Sequence, residues 1–295
     1  MSPHRPRRLP LGVLVATGLA RPGGTPARVA EQVRGRTVVV TGGSRGIGAA
    51  TAIRLAGAGA HVVLLARDAG ALGKVAGRIE RAAPRTGGSA SCLVIDLRDP
   101  DAATAAGDRI VAEHGAPTVV VSNAGHSIHR YVADYTERFH DVVRTAGVNY
   151  LGPVALLLRL LPAMSAAQRG HVIAVSTTSV SMPFPGWSAY GASKTAFDAW
   201  LAAAAPELAL DGIATTTLRL PLVHTAMSAA TPAYRRLPGL FPEDVAALVC
   251  YAVVARPRLV EPWWSRAIGL ARDLAPGAGD RLLTGFARWE RRSGR

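Results

Sequence analysis

The stretch TVVVTGGSRGIGAATAIRLAGAGA, beginning at Thr37, leaves the chain few ways to fold. A run of β-branched residues too short for a helix leads straight into a glycine-rich turn and then into an alanine-rich stretch of helical length. Gly42, Gly46 and Gly48 let the backbone turn tightly and approach a pyrophosphate at the positive end of the following helix. The alternation then continues. Short apolar runs stand at residues 37–41, 61–66, 90–95, 118–122, 171–176 and 213–218, with helical stretches between them that include 47–57, 101–114, 137–161 and 189–210. Strands that are apolar throughout and alternate with helices imply a parallel sheet covered on both faces. In such sheets ligands bind at the carboxyl ends of the strands.

With 295 residues, 49% of them hydrophobic, the chain has ample material for a packed core. The chain is expected to divide into a basic leader (1–35), flexible or lying on the surface, a catalytic domain (36–262), and an amphipathic basic helical tail (263–295). The net charge of +14 is concentrated at the ends. Residues 1–36 hold seven arginines against one acid, and residues 256–295 hold nine against four. A near-neutral middle without interleaved aromatic and basic residues argues against a nucleic-acid partner. Basic ends suit an anionic ligand or a membrane surface. The leader joins a basic flank to an apolar run, Leu9 to Ala20, that is too short to cross a bilayer. Export by a signal segment is the lesser alternative. Cys92 and Cys250 sit in apolar runs with neither metal nor disulfide spacing, which predicts two buried thiols in a reducing compartment. The expected location is the cytoplasm, with peripheral contact at the inner face of the membrane as an addition.

The glycine turn has a rival reading, because Gly42-Gly43-Ser44-Arg45-Gly46 also fits the G-x-S-x-G nucleophile elbow of hydrolases. That elbow follows several earlier strands, and here none precedes it outside the leader. No Asp and His follow in the order a triad needs. The cofactor reading is therefore preferred. The second strand ends in Ala66 and Arg67, where an acidic residue would bind the ribose hydroxyls of NADH. Arg45 and Arg67 would instead grip a 2′-phosphate, so NADP(H) is the expected cofactor, with Asp68 beyond the strand end capping the next helix.

At this point the chain resembles the short-chain dehydrogenase/reductase family over roughly residues 36–258. TGGSRGIG at 41–48, Asp96 in VIDLRD, SNAGHS at 122–127, Asn149 in GVNYLG and YGASK at 190–194 carry the resemblance. It implies an α/β fold, a doubly wound Rossmann-like parallel sheet in one domain with a helical C-terminal extension, and hydride transfer between NAD(P) and a carbonyl or alcohol carbon. The implied cofactor site comprises Gly42, Ser44, Arg45, Gly46, Ile47, Gly48, Arg67, Asp96, Leu97, Asn123, Ala124, Gly125, Tyr190, Lys194, Val223 and Thr225. Asp96 would bond the adenine, and Asn149 would hold a proton-relay water.

Tyr190 and Lys194 fall one turn apart on one helix face. Carbonyl reduction needs a proton as hydride arrives, and a free phenol, with a pKa of about 10, is a weak donor at neutral pH. A neighbouring ammonium favours the phenolate and lowers that pKa. Lys74 and Lys194 are the two lysines among 34 basic residues, which makes an ammonium here conspicuous. Catalysis is thus assigned to Tyr190, Lys194, Thr177 and Asn149, with no metal.

Two departures matter. Thr177 stands where the family usually has serine, with Ser176 and Ser179 as substitutes if the register slips. Leu222 occupies a usual glycine position, which puts the backbone near Val223 and Thr225 in doubt. They keep open a cofactor-binding protein of little activity. Together with NAGHSIHR, the segment 218–262 looks like a subset related to bacterial fatty acyl-CoA and long-chain aldehyde reductases. The expected partner is accordingly a large apolar carbonyl substrate, CoA-linked or not, with a ketone or secondary alcohol as the alternative. A homo-oligomer is also expected. In the tail, Trp264, Ile268 and Ala271 share one helix face, as do Leu282, Phe286 and Trp289, suiting a membrane interface, a channel cover, or packing on the domain or a sister subunit. His126, His129 and His224 are read as channel-wall or surface residues.

Overall fold

In the computed structural model, which describes residues 7–10, 13, 17–19 and 24–292, seven strands form one sheet in the order 3-2-1-4-5-6-7. They are β1 (Thr37–Thr41), β2 (His61–Ala66), β3 (Ser89–Val94), β4 (Val119–Ser122), β5 (Gly170–Thr177), β6 (Ile213–Leu220) and β7 (Leu259–Val260). Every neighbouring pair is parallel. Parallel strands need crossover helices, and a central strand flanked by helices on both faces must be apolar at every position. β1 shows this: Val38 and Val40 belong to one core and Val39 to the other.

The first core is covered by α1 (Pro26–Val33), α2 (Gly46–Gly57), α3 (Ala69–Thr86) and α8 (Pro242–Ala255). The second is covered by α4 (Pro100–His114), α6 (Gly152–Ala166) and α7 (Ser188–Leu210). The order of strands reverses between β1 and β4, which opens a crevice at their carboxyl ends.

Several expectations need correction. Part of the expected leader is core: Leu19, Val29, Ala30 and Val33 are buried with β1, and α1 packs on α8. Arg8 and Leu9 are fastened as well, since Leu9 N donates to Gly239 O and Arg8 pairs with Asp244. Much of the run from Leu9 to Ala20 lies outside the described residues. Cys250 is buried, but Cys92 is exposed because β3 is the edge strand and shows one face to solvent. The helix expected over 137–161 is divided into α5 (Phe139–Ala146), a π-turn (Gly147–Leu151) and α6. As one run, Phe139–Ala166 is long and apolar enough to cross a membrane, yet half of it is buried inside the protein.

The tail forms α9 (Trp263–Leu274) and α10 (Pro276–Arg292). Of the first expected apolar face, Trp264 is half-buried while Ile268 and Ala271 are exposed. The side chains of Leu282, Phe286 and Trp289 lie outside the described residues.

Candidate active site

Thr41 closes β1 with a hydroxyl that accepts from the backbone N–H groups of Asn123 at 2.9 Å and Ala124 at 3.0 Å. The Asn123 amide returns to Thr41 O at 3.0 Å and Gly42 O at 3.4 Å. The ends of β1 and β4 are thereby locked together at the crevice. Gly42 has φ +68°, and a Cβ on Gly48 would stand 2.1 Å from Gly42 O, so the first turn of α2 sits directly on the glycine turn. Arg45 gives α2 no side-chain cap, which leaves its N-terminal amides for a ligand. Thr225 reaches over the turn, its Cγ2 3.5 Å from where a Gly46 side chain would begin. A bare, uncapped helix N-terminus behind a glycine cradle fits a pyrophosphate.

Toward the expected adenosine end, Arg67 is exposed just past β2 and its Nη1 lies 3.9 Å from Asp96 Oδ2. Arg98 holds the same carboxylate more closely, donating from Nε at 2.8 Å and from its backbone at 3.0 Å. Those bonds keep the Asp96 carboxyl below its ordinary range. Arg45 is exposed, Asp68 caps α3 by accepting from Ala71 N at 2.9 Å, and Leu97 is buried.

The other half of the site lies on α7, where Tyr190, Lys194 and Asp198 follow at i, i+4 and i+8. The Thr177 hydroxyl, at the end of β5, hydrogen-bonds the Tyr190 phenol. Ser176 is buried against Asp198, and Ser179 bonds to Thr177 at 3.2 Å, so Thr177 is the hydroxyl beside the tyrosine. Lys194 Nζ donates to Val175 O at 2.9 Å. Asn149 projects from the π-turn, its Oδ1 accepting from His126 N at 2.8 Å and its Nδ2 donating to His126 O and Ser193 Oγ, each at 2.9 Å. A Cβ on Gly125 would lie 3.1 Å from Asn149 Oδ1 and 3.5 Å from Lys194 Nζ, so these groups converge on that glycine.

The electrostatics differ from the expectation of an acidified phenol. Burial pushes Tyr190 up to about 12, and the Thr177 hydrogen bond offsets only part of this. Burial also pulls Lys194 down to about 8, against the Asp198 carboxylate that favours its charge. The cost of placing charge in this site outweighs the Thr177 hydrogen bond, and Tyr234 and the Asp198 carboxylate push the phenol the same way as burial.

Three loops meet over Tyr190. Trp187 lies 6.0 Å from the Tyr190 ring, 5.9 Å from Tyr234 in a stacked pair, and 4.9 Å from His129. His126 is fixed by its backbone to Asn149, whereas His224 rests on Phe241 at 5.3 Å.

A profile of the short chain dehydrogenase family matches residues 36–235. The chain belongs to the short-chain dehydrogenase family. It is 38% identical over 254 residues to a fatty acyl-CoA reductase of Acinetobacter baylyi, covering 86% of this chain and 85% of that protein. A fatty acyl-CoA reductase of Mycobacterium tuberculosis is 36% identical over 252 residues, covering 85% and 84%. Among solved structures, a metagenomic short-chain oxidoreductase in complex with NADP superposes with a TM-score of 0.68 at 31% identity, over 78% of this chain and 97% of that one. A 3-oxoacyl (acyl-carrier-protein) reductase from Agrobacterium tumefaciens with NADP bound gives 0.68 at 30% identity, over 77% and 90%. An NAD⁺-bound xylitol dehydrogenase, at 0.66 and 23% identity over 75% and 92%, shares the fold.

As a short-chain dehydrogenase the protein is an oxidoreductase with a seven-stranded Rossmann-like sheet. Leu222 does not distort it: the described non-glycine residues with positive φ are Gln168 and Arg256, and Leu222 O accepts from Leu240 N at 2.9 Å while Val223 bridges Leu240. What sequence reasoning missed is a buried ion network behind Lys194. Arg219 on β6 donates from Nε to Asp198 Oδ2 at 3.0 Å and from Nη1 to Glu261 Oε2 at 3.3 Å and Ser181 Oγ at 3.2 Å. Asp198 continues the stripe that contains Tyr190 and Lys194, and that spacing is the signal that could have revealed it.

Proposed function

We propose that this short-chain dehydrogenase uses NADPH to reduce the carbonyl of a large apolar substrate, a fatty aldehyde or a fatty acyl-CoA thioester. The observation that carries the reading is the pairing of Thr177 with Tyr190, one helical turn from Lys194, together with the approach of Lys194 and Asn149 to Gly125 just past the end of β4. Bound NADPH would supply the hydride. Thr177 would bond the carbonyl oxygen, and Tyr190 would donate the proton that neutralises the developing alkoxide. A phenol whose pKa is about 12 is fully protonated throughout the neutral range, so the acid form is always present, but it gives up its proton less readily than a free phenol. Lys194 would orient the nicotinamide ribose and carry the compensating charge. Asn149 braces the turn at His126 and would position a relay water. The wall of Trp187, Tyr234 and His129 offers apolar area to a long acyl chain.

Exposed Arg45 and Arg67 support the preference for a 2′-phosphate, and Asp96, Leu97, Asn123, Val223 and Thr225 would line the rest of the cofactor. The apolar residues Phe139, Val143, Leu151 and Leu158, exposed along α5, the π-turn and α6, support a homo-oligomer. The relatives' names support the acyl-CoA choice over a ketone.

The test is NADPH consumption across aldehydes, acyl-CoAs and ketones of graded chain length, with Tyr190→Phe as control. Long-chain aldehydes or acyl-CoAs should be turned over, and Tyr190→Phe should lose about a thousandfold in kcat with NADPH affinity kept. Ketones as the preferred substrate would overturn the substrate, and turnover retained by Tyr190→Phe would overturn the acid.

A further inference from the structure

Helix α9 meets the domain with the wrong face for an ordinary surface helix. Its buried positions are Ser265 and Gly269, with Arg272 half-buried one turn on and Trp264 the one large apolar side chain half-buried beside them. Ser265 Oγ donates to Glu261 Oε1 at 2.6 Å, and Arg272 Nη1 donates to Ser181 O at 3.2 Å. A Cβ on Gly269 would lie 3.4 Å from both Ser181 Cβ and Ser181 O, so the helix backbone lies almost against that turn. The outward positions on one helix face are Trp263, Ala267, Leu270 and Leu274. Trp263 is 62% exposed, Leu270 61% and Leu274 78%, and Ile268 beside them is 44% exposed. Globular helices turn their apolar stripe inward, because each large apolar side chain gains about 1.5–3 kcal/mol by leaving water. Here polar contacts clamp the helix and direct the apolar stripe outward, toward a second medium.

Charge indicates which medium. Residues 263–292 carry six arginines against three acids, and Arg266 on α9 and Arg281 and Arg288 on α10 are exposed. A second copy of a chain with a net charge of +14 would bring like charge to this face. An anionic bilayer attracts each arginine near its surface by about 1 kcal/mol and accepts tryptophan and leucine at the boundary between headgroups and acyl chains. The clamp is made at Ser181, four residues past Thr177, so the outward stripe is tied to the substrate side of the crevice.

We propose that α9 is a membrane-contact platform, its stripe of Trp263, Ala267, Leu270 and Leu274 seated in an anionic bilayer and its polar face fixed to the Ser181 turn. The role of that contact in delivering an apolar substrate rests on the proposed function; the contact itself does not.

The test uses the full chain, sedimented with vesicles of phosphatidylcholine alone and of phosphatidylcholine with phosphatidylglycerol. The unsubstituted protein should bind the anionic vesicles at least about tenfold more tightly, and added salt should weaken the binding. The triple variant Trp263→Ser/Leu270→Ser/Leu274→Ser should lose at least about tenfold of that binding and keep its turnover of a short, water-soluble aldehyde. No binding by the parent protein, or equal binding by parent and variant, overturns the proposal. So does a variant that changes only its oligomeric state by light scattering, which would make the stripe a subunit interface. If no carbonyl is reduced by either protein, the function is wrong while the vesicle result stands by itself.

Discussion

Arg219 is the bridge between two buried carboxylates, donating to Asp198 at 3.0 Å and to Glu261 at 3.3 Å. Asp198 in turn supports the charge on Lys194. Two cations and two anions therefore balance inside the protein. Removing one member of a buried pair strands the other, at a cost of about 3–5 kcal/mol. Arg219→Met should lower stability by about 3 kcal/mol, at the low end because the guanidinium is partly exposed, and Arg219→Lys should restore part of the loss. Urea unfolding with an unchanged slope is the measurement; a midpoint shared by Arg219→Met and the parent would remove the network from any account of stability.

The pH dependence of reduction follows from the same burial. Tyr190, raised to about 12, remains an acid across the working range, while Lys194, lowered to about 8, loses its charge well before a solvated lysine would. The rate should be level below neutrality and fall as pH rises through about 8. Asp198→Asn withdraws the carboxylate that favours the ammonium, so the alkaline limb should move to lower pH. Profiles of kcat/KM for the two proteins decide this, and superimposable limbs would separate Asp198 from Lys194.

Cofactor choice should depend on Arg45 and Arg67. Replacing both with alanine should reduce an NADPH preference of tenfold or more to near parity, since about 1.4 kcal/mol corresponds to each factor of ten. Titration with NADPH and NADH is the check. An unchanged ratio would assign the 2′-phosphate to other groups.

Acid should unfold the protein early because of His171. This imidazole is buried on β5, bonds Thr216 Oγ1 at 2.9 Å, and is pulled down to about 3 by desolvation. The unfolded chain binds a proton near pH 6.5 that the folded chain refuses, so the contribution to stability is complete above that pH and declines as pH falls toward 3. By pH 4.5 the loss should reach roughly 2–3 kcal/mol. His171→Val should flatten this dependence in denaturant unfolding followed from pH 7 to pH 4.5.

The strands were readable because a doubly covered sheet demands unbroken apolar runs, and β1 and β2 lie at the positions that rule predicts. β7 has two residues, too few to leave a period. The π-turn at Asn149 was invisible for another reason. It depends on distant backbone, since Gly152 lies so close to Leu97 O that a Cβ would stand 1.8 Å away. The Tyr190–Lys194 pair was legible from spacing and Thr177 only from the family resemblance, but the phenol's acidity was not legible, because the burial that sets it comes from the whole fold. Arg219 and Glu261 carry no local signal at all; only the parallel pairing of β6 with β7 brings them together.

The first residues described make a further connection. Leu9 N and Arg7 O both bond Gly239, and the adjoining Leu240 exchanges hydrogen bonds with the backbone of Leu222 and His224. Thr225, next in the chain, overhangs the glycine cradle. Residues 7–9 thus act as a remote prop for the loop above the cradle, and cutting them away would withdraw the backbone partner of Gly239 from a ladder that ends one residue short of Thr225.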